Sequence, residues 1–256
     1  MPHGKGQIKH LPAVDLLAGI KAGSVGAVVT DPPFFVGIGR DGGGIDCDPW
    51  VSKGAASTLD EMIVWSIPLA NQVARVLRPG GAFIVMGGSQ SLSAMEVARD
   101  RAGLVWMAEL TVLWNTGMVR ARKFGSLTMT VRWYSKPGSR HTFSYGDQRA
   151  IYSNVLVCTK IPLKERYNPA QKPVELTNFL ISLLTEEDDL IVDPFCGSGS
   201  TLLSAAMCGR RWIGGDADIA QCRIAETRIK RLELEEAGLR PLKLWTKRGK
   251  LKNVEG

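Results

Sequence analysis

Two short stretches place acidic residues beside turn formers in patterns that suit chemistry. Asp31-Pro-Pro-Phe34 follows Val25-Gly-Ala-Val-Val-Thr30, an apolar run that reads as a buried strand. Prolines cannot continue a central strand, so the chain turns there. The tetrapeptide then sits at the C-terminal end of a strand, where open α/β sheets bind ligands. Proline fixes φ and carries no N–H, so the Asp31 carboxylate and the Pro32 carbonyl make an acceptor pair suited to an exocyclic amino group. The Phe34 ring beside them offers a stacking surface, worth ~1–3 kcal/mol per base. Read alone, the tetrapeptide is first of all a proline turn with a core phenylalanine.

The second stretch is Leu190-Ile-Val192 followed by Asp193-Pro-Phe-Cys-Gly-Ser-Gly-Ser-Thr201, a strand, an acidic residue, a glycine-bearing turn and a helix start. Gly197 and Gly199 let backbone approach a ligand closely, and the helix start offers free N–H groups. The third glycine of the dinucleotide fingerprint is missing. Asp216 closes the next strand, Trp212-Ile-Gly-Gly215, where acidic residues accept hydrogen bonds from a ribose. A structural turn with a solvent-facing aspartate is the plain alternative. The one true GxGxxG string, Gly37-Ile-Gly-Arg-Asp-Gly42, opens no helix and reads as a loop. Five cysteines without a CxxC pair and three histidines support neither a disulfide framework nor a zinc site, and no metal is expected. Carboxylates, backbone groups or a bound cofactor must carry the chemistry.

The elements that position these residues alternate. Thr58-Leu-Asp-Glu61 is a capping box opening a helix to about Leu77, which Pro79-Gly-Gly81 stops. Strands follow at 82–86 and 105–114, with a helix over 91–102 between them. Helices are predicted over 174–184, from 201 to 208, and from 219 to 236, interleaved with strands 190–192 and 212–215. Such alternation argues for an α/β fold with a largely parallel sheet. The block 118–167 has weak periodicity, and residues 36–48 hold five glycines and three aspartates, a long loop. The chain has 256 residues, 45% hydrophobic and 22% charged, which suits one large globular domain or two small ones. No apolar run reaches the ~20 residues that cross a bilayer. Met1-Pro-His-Gly-Lys-Gly opens no apolar signal segment, so a cytoplasmic protein is expected.

Net charge is +7 with a pI near 9.3. Residues 118–175 hold 11 Lys and Arg against 3 Asp and Glu, and 228–256 hold 9 against 4, whereas 176–227 hold 3 against 8. Clustered cations suit a polyanion, because they release counterions from phosphates. The basic, aromatic block 118–167 is therefore the candidate target-recognition region, with Arg120, Arg122, Lys123, Arg132, Lys136 and Arg140 as nucleic-acid-binding residues. A solvated insertion with a small core is its alternative.

Taken together, the motifs resemble those of the DNA amino-methyltransferases that modify adenine N6 or cytosine N4. Asp31-Pro-Pro-Phe34 looks like their catalytic motif and Asp193-Pro-Phe-Cys-Gly-Ser-Gly199 like their S-adenosylmethionine motif. Asn168-Pro-Ala-Gln-Lys-Pro173, Ile213-Gly-Gly-Asp216 and Arg75-Val-Leu-Arg-Pro-Gly-Gly81 match further family segments, in the β order with catalysis before cofactor. The resemblance covers residues 8–117 and 168–231. It departs at Phe34, where Tyr is commonest, and at Pro12, which aligns where an acidic residue usually stands, with Asp15 nearby.

The resemblance implies a Rossmann-like methyltransferase fold, a mostly parallel twisted sheet with helices on both faces and a small basic recognition insertion. Residues 1–117 and 168–236 would form the core, 118–167 the recognition region and 237–256 a basic tail. S-adenosylmethionine is the implied cofactor, held by Lys172, Asp193, Phe195, Cys196, Gly197, Ser198, Gly199 and Asp216. Asp31, Pro32, Pro33 and Phe34 are the implied catalytic residues, acting on a base flipped out of duplex DNA, with the 36–48 loop free to close over it. Aspartate at the motif's first position leans toward adenine. Cytosine N4, an RNA adenine, a non-catalytic nucleic-acid-binding module with this fold, a nucleotide-dependent oxidoreductase and a homodimer are left open.

Overall fold

The computed structural model describes residues 5–32, 58–115, 127–144, 153–232, 242–245 and 251–254. Its strands are β1 (Gly6–His10), β2 (Val25–Thr30), β3 (Leu77–Gly87), β4 (Val105–Trp114), β5 (Thr128–Ser135), β6 (Val155–Cys158), β7 (Leu190–Asp193), β8 (Arg211–Asp216), β9 (Leu242–Trp245) and β10 (Leu251–Val254). The helices are α1 (Ala13–Ala18), α2 (Leu59–Val76), α3 (Ser89–Arg101), α4 (Val174–Leu184), α5 (Ser200–Met207) and α6 (Ile219–Leu232).

All six residues of β2 are buried, which explains why its sequence is continuously apolar rather than alternating. It lies between β3 and β7, parallel to both, in one sheet ordered β1-β8-β7-β2-β3-β5-β4-β6-β9-β10. Among the described strands only β5 and β9 run against the others, so the mostly parallel α/β expectation holds. From β2 the chain crosses to β3 on one side, and from β7 it crosses to β8 on the other. The C-terminal ends of β2 and β7 therefore meet at a switch point, the place where such sheets open a crevice.

Period-two alternation in the central strands separates two cores. Val28, Phe83, Val85 and Tyr134 pack with Leu16, Leu69, Val73 and Met95 on one face. Ala27, Val29, Ile84 and Trp133 pack with Leu176, Leu180, Leu202 and Ala225 on the other. The capping box forms as read: Thr58 Oγ1 accepts the Glu61 N–H at 3.2 Å and Glu61 Oε2 accepts the Thr58 N–H at 3.2 Å.

Three segments differ from expectation. Helix α2 ends at Val76, and Pro79-Gly-Gly81 lies inside β3 rather than terminating the helix. There Gly80 takes φ +75° and lies so close to the chain that a Cβ would sit 2.4 Å from the Arg140 carbonyl oxygen. Residues 128–135 and 155–158 of the basic block are sheet strands, β5 wedged between β3 and β4. Trp133 and Tyr134, aromatics read as part of a recognition surface, are buried on opposite faces of β5. Part of the basic tail forms β9 and β10, and residues 233–236 of the last expected helix lie outside the described residues.

Candidate active site

The crevice at the switch point is built by two aspartates at the ends of neighbouring strands. Asp193 closes β7 and is 3% exposed. Its Oδ1 accepts the Thr30 hydroxyl at 2.8 Å and the Phe195 N–H at 3.1 Å, and the Thr201 hydroxyl also donates to the carboxylate. Burial pushes its pKa up to about 7; these hydrogen bonds oppose that rise and the negative charge of Asp31 adds to it. Asp31 follows β2 directly. Its Oδ2 accepts a hydrogen bond from the Lys172 ammonium, while its Oδ1 is buried without a partner among the described residues. Burial raises the Asp31 pKa and Lys172 works against that rise. Pro32 is buried beside it. Pro33 and Phe34 lie outside the described residues, as does the 36–48 loop.

The glycine turn is held by backbone geometry from several sides. The Cys196 N–H donates to the Gly215 carbonyl at 2.9 Å and the Gly199 N–H to the Cys196 carbonyl at 2.7 Å. Gly197 and Gly199 take φ of +48° and +82°, the left-handed region that favours glycine. Gly199 has a second reason to be glycine: a Cβ there would stand 2.8 Å from the Ala225 Cβ of α6. Asp216, at the end of β8, accepts the Gly197 N–H at 2.9 Å on Oδ2 and the Asp218 N–H at 2.9 Å on Oδ1. It thereby ties β8 to the turn. Phe195 packs its ring 5.8 Å from Trp65. Cys196 is buried, and that burial pushes its thiol pKa up and disfavours the thiolate.

A residue that sequence reading missed braces the turn from behind. Arg228 of α6 donates to the Ser198 carbonyl, to Ser198 Oγ at 3.0 Å and to Ser200 Oγ at 3.4 Å, with the Tyr167 ring 5.0 Å from its guanidinium carbon. Desolvation lowers its pKa to about 10. Thr30, Thr201 and Asn168, which donates from Nδ2 to Gln221 Oε1 at 3.0 Å, were missed as well. Thr30 stands directly before the acidic tetrapeptide; Arg228 carried no signal, because 30 residues separate it from the turn it supports.

The comparisons with known proteins agree with this geometry. A family model described as DNA methylase, of the N6/N4 methyltransferase type, matches residues 25–227. The chain belongs to that family. Type II methyltransferase M2.DpnII of Streptococcus pneumoniae is 29% identical over 246 residues, covering 88% of this chain and 89% of that protein. Type II methyltransferase M2.LlaDCHI of Lactococcus lactis subsp. cremoris is 26% identical over 242 residues, covering 87% and 88%. Among solved structures, the PvuII DNA methyltransferase, named as cytosine-N4-specific, superposes with a TM-score of 0.71 at 20% identity, over 90% of this chain and 92% of that one. The M1.HpyAVI–SAM complex gives 0.64 at 20% identity, over 88% and 100%. Both likenesses are of fold.

The described members of the candidate nucleic-acid-binding set, Arg132, Lys136 and Arg140, do not gather at the crevice. The Arg132 Nε donates to Glu109 Oε2 at 2.9 Å and its Nη1 to the Leu92 carbonyl at 2.8 Å, inside a network with Glu96. The Lys136 ammonium donates to the Leu77 carbonyl at 2.8 Å and so fastens the start of β3. Arg140 is exposed at the same end of the sheet, where β2 and β3 begin. Asp31 lies past the other end of β2, ~17–20 Å away at 3.3 Å per residue. Arg120, Arg122 and Lys123 fall outside the described residues. Among the described residues no group of three or more His, Cys, Asp or Glu is arranged to hold a metal ion.

Proposed function

We propose that this DNA methyltransferase transfers a methyl group to adenine N6 of a base flipped out of duplex DNA, with Asp31 as the acceptor that positions the amine. The observation that carries the reading is Asp31 Oδ1, a buried acceptor without a partner at the mouth of the sheet's switch point. A buried acceptor left unsatisfied costs ~1–3 kcal/mol, which a donor amine relieves on binding. The exocyclic amine is a poor nucleophile because its lone pair is delocalised into the ring. Donating one N–H to Asp31 Oδ1 and the other to the Pro32 carbonyl favours a pyramidal nitrogen and turns the lone pair outward. Phe34 holds the ring by stacking. Positioning of this kind supplies several kcal/mol, up to ~7–11 in ideal intramolecular cases.

The methyl donor is S-adenosylmethionine, which when bound supplies an electrophilic methyl on a sulfonium centre. The residues fit such a ligand: two positive-φ glycines shape a close turn, and buried acidic groups suit a cation. Within this reading Gly197, Ser198 and Gly199 would lie along the donor, and Asp216 would accept its ribose hydroxyls. Asp193 shapes the turn through Thr30 and Phe195. We place the enzyme in the cytoplasm; no described helix is long and apolar enough to cross a membrane. A second reading is cytosine N4, an exocyclic amine that the same acceptor pair would meet in the same way.

Incubation with DNA and labelled S-adenosylmethionine, followed by nucleoside mass spectrometry, tests the proposal. N6-methyladenine is the expected product, lost in Asp31→Ala while donor binding stays within a few-fold. N4-methylcytosine alone would overturn the adenine assignment, and full turnover by Asp31→Ala would overturn the role of Asp31.

A further inference from the structure

The two oxygens of the Asp31 carboxylate are in different circumstances. Oδ2 is taken by the Lys172 ammonium, and Oδ1 is buried with no partner. Lys172 is itself held in place from two sides. Its ammonium also donates to the Ala170 carbonyl at 3.2 Å, and its own carbonyl accepts the Ser200 hydroxyl, the first residue of α5, at 2.7 Å. Both side chains of the pair are largely enclosed, at 12% and 16% exposure. The sequence reading placed Lys172 with the cofactor residues; the structure sets its ammonium on the carboxylate that follows β2.

Among the described residues the charged group that acts on Asp31 is Lys172, which favours its ionised form, while the charge of Asp31 in turn raises the cost of ionising Asp193. Burial opposes ionisation of both aspartates. The chemistry proposed above needs an acceptor. A protonated Asp31 keeps only one carbonyl oxygen as an acceptor, weaker than a carboxylate oxygen, and with its proton on Oδ1 it would present a donor to an amine that itself donates.

We propose that Lys172 is a positioning residue for methyl transfer: it holds Asp31 as a carboxylate in a desolvated crevice and closes Oδ2, so that Oδ1 alone meets the amine. This rests on the function proposed above. Ser200 extends the arrangement, since its hydroxyl couples the Lys172 backbone to the start of α5 and to the Arg228 brace. The turn that carries the donor motif and the acceptor that positions the amine thus share one lysine.

The test compares wild type, Lys172→Met and Lys172→Arg. Below the pKa of an unpaired Asp31, kcat of Lys172→Met should fall about tenfold per pH unit and recover as pH rises, while Lys172→Arg keeps the wild-type profile. Asp193 titrates in all three proteins and responds to the charge of Asp31, so the profiles report the pair and the infrared spectra assign the change to Asp31. A second readout needs neither donor nor DNA. In an Asp193→Asn background, which removes the coupled carboxyl, infrared difference spectra against the matching Asp31→Asn protein should show a protonated-carboxyl band at pH 6.5 in Lys172→Met and none with Lys172 in place. A Lys172→Met profile identical to wild type, or no such band in that variant, would overturn the proposal. If Lys172→Met does not fold, a protonated Asp31 band in wild type at pH 7 would overturn it equally, and its absence there, with the Lys172→Arg profile unchanged, would support it. Failure of wild type to methylate DNA at any pH would sink the function instead, leaving the infrared result to decide the state of Asp31.

Discussion

Gly199→Ala is the substitution whose cost the structure determines most directly. Residue 199 caps α5 at φ +82°, and an alanine forced into the left-handed region costs ~1–2 kcal/mol. The added methyl would stand 2.8 Å from the Ala225 Cβ and 3.1 Å from its Cα, and Ala225 is fully buried in α6. Overpacking of that kind costs ~1–3 kcal/mol. A stiffer unfolded chain returns ~0.4–1 kcal/mol. The net loss is about 2–4 kcal/mol, or roughly 4–16 °C in Tm for a chain of this size. Gly209 supplies the control, because it takes φ +72° but a Cβ there would meet nothing within 4 Å. Gly209→Ala should therefore lose only the backbone component, about 1 kcal/mol or less. Denaturant titration of the two variants isolates the steric share. Adding Ala225→Gly should recover part of the loss in Gly199→Ala but none in Gly209→Ala, a coupling that a double-mutant cycle reads directly. Equal losses in the two single variants would refute the packing argument.

Two further outcomes follow from the charges. Asp193 holds its proton more tightly folded, at about 7, than at its ordinary 3.8, so ionising it between those values weakens the fold, by at most about 4 kcal/mol. Stability of wild type relative to Asp193→Asn should fall as pH rises from 4 to 7 and stay level above; a pH-independent difference would remove the burial argument. Affinity for DNA should fall steeply with salt. Arg120→Ala, Arg122→Ala and Lys123→Ala should each reduce the salt slope by about one, whereas Arg132→Ala, which breaks the contacts to Glu109 and Leu92, should lower Tm and leave the slope alone. A slope change for Arg132→Ala matching the other three would contradict its structural role.

The candidate site was legible in proportion to how local its determinants are. Asp31, Asp193 and Asp216 each follow an apolar strand within a few residues, so strand periodicity and turn chemistry placed all three at strand ends. The glycines at 197 and 199 were likewise read as special, and for Gly199 the structure adds a reason no local pattern shows, the wall of Ala225. β5 was missed because Thr128-Met-Thr-Val-Arg-Trp-Tyr-Ser135 mixes a charge and aromatics in a strongly basic neighbourhood. Its charge is tolerable only because Glu109, on the adjacent strand, and Glu96, on α3, lie close enough to neutralise it.

By itself, then, the sequence determined the α/β class, the position of each acidic residue at the end of its strand, and the resemblance to the amino-methyltransferases, because these depend on patterns a few residues long. Only the tertiary structure decided which groups meet. The strand order brings β2 beside β7, so two aspartates 162 positions apart share one buried crevice and the charge of Asp31 raises the cost of ionising Asp193. Folding also carries Lys172 onto Asp31 across 141 residues, and Arg228 beneath the glycine turn across 30. Pairings over such separations depend on how the strands and helices are arranged in space, and no local pattern encodes that arrangement.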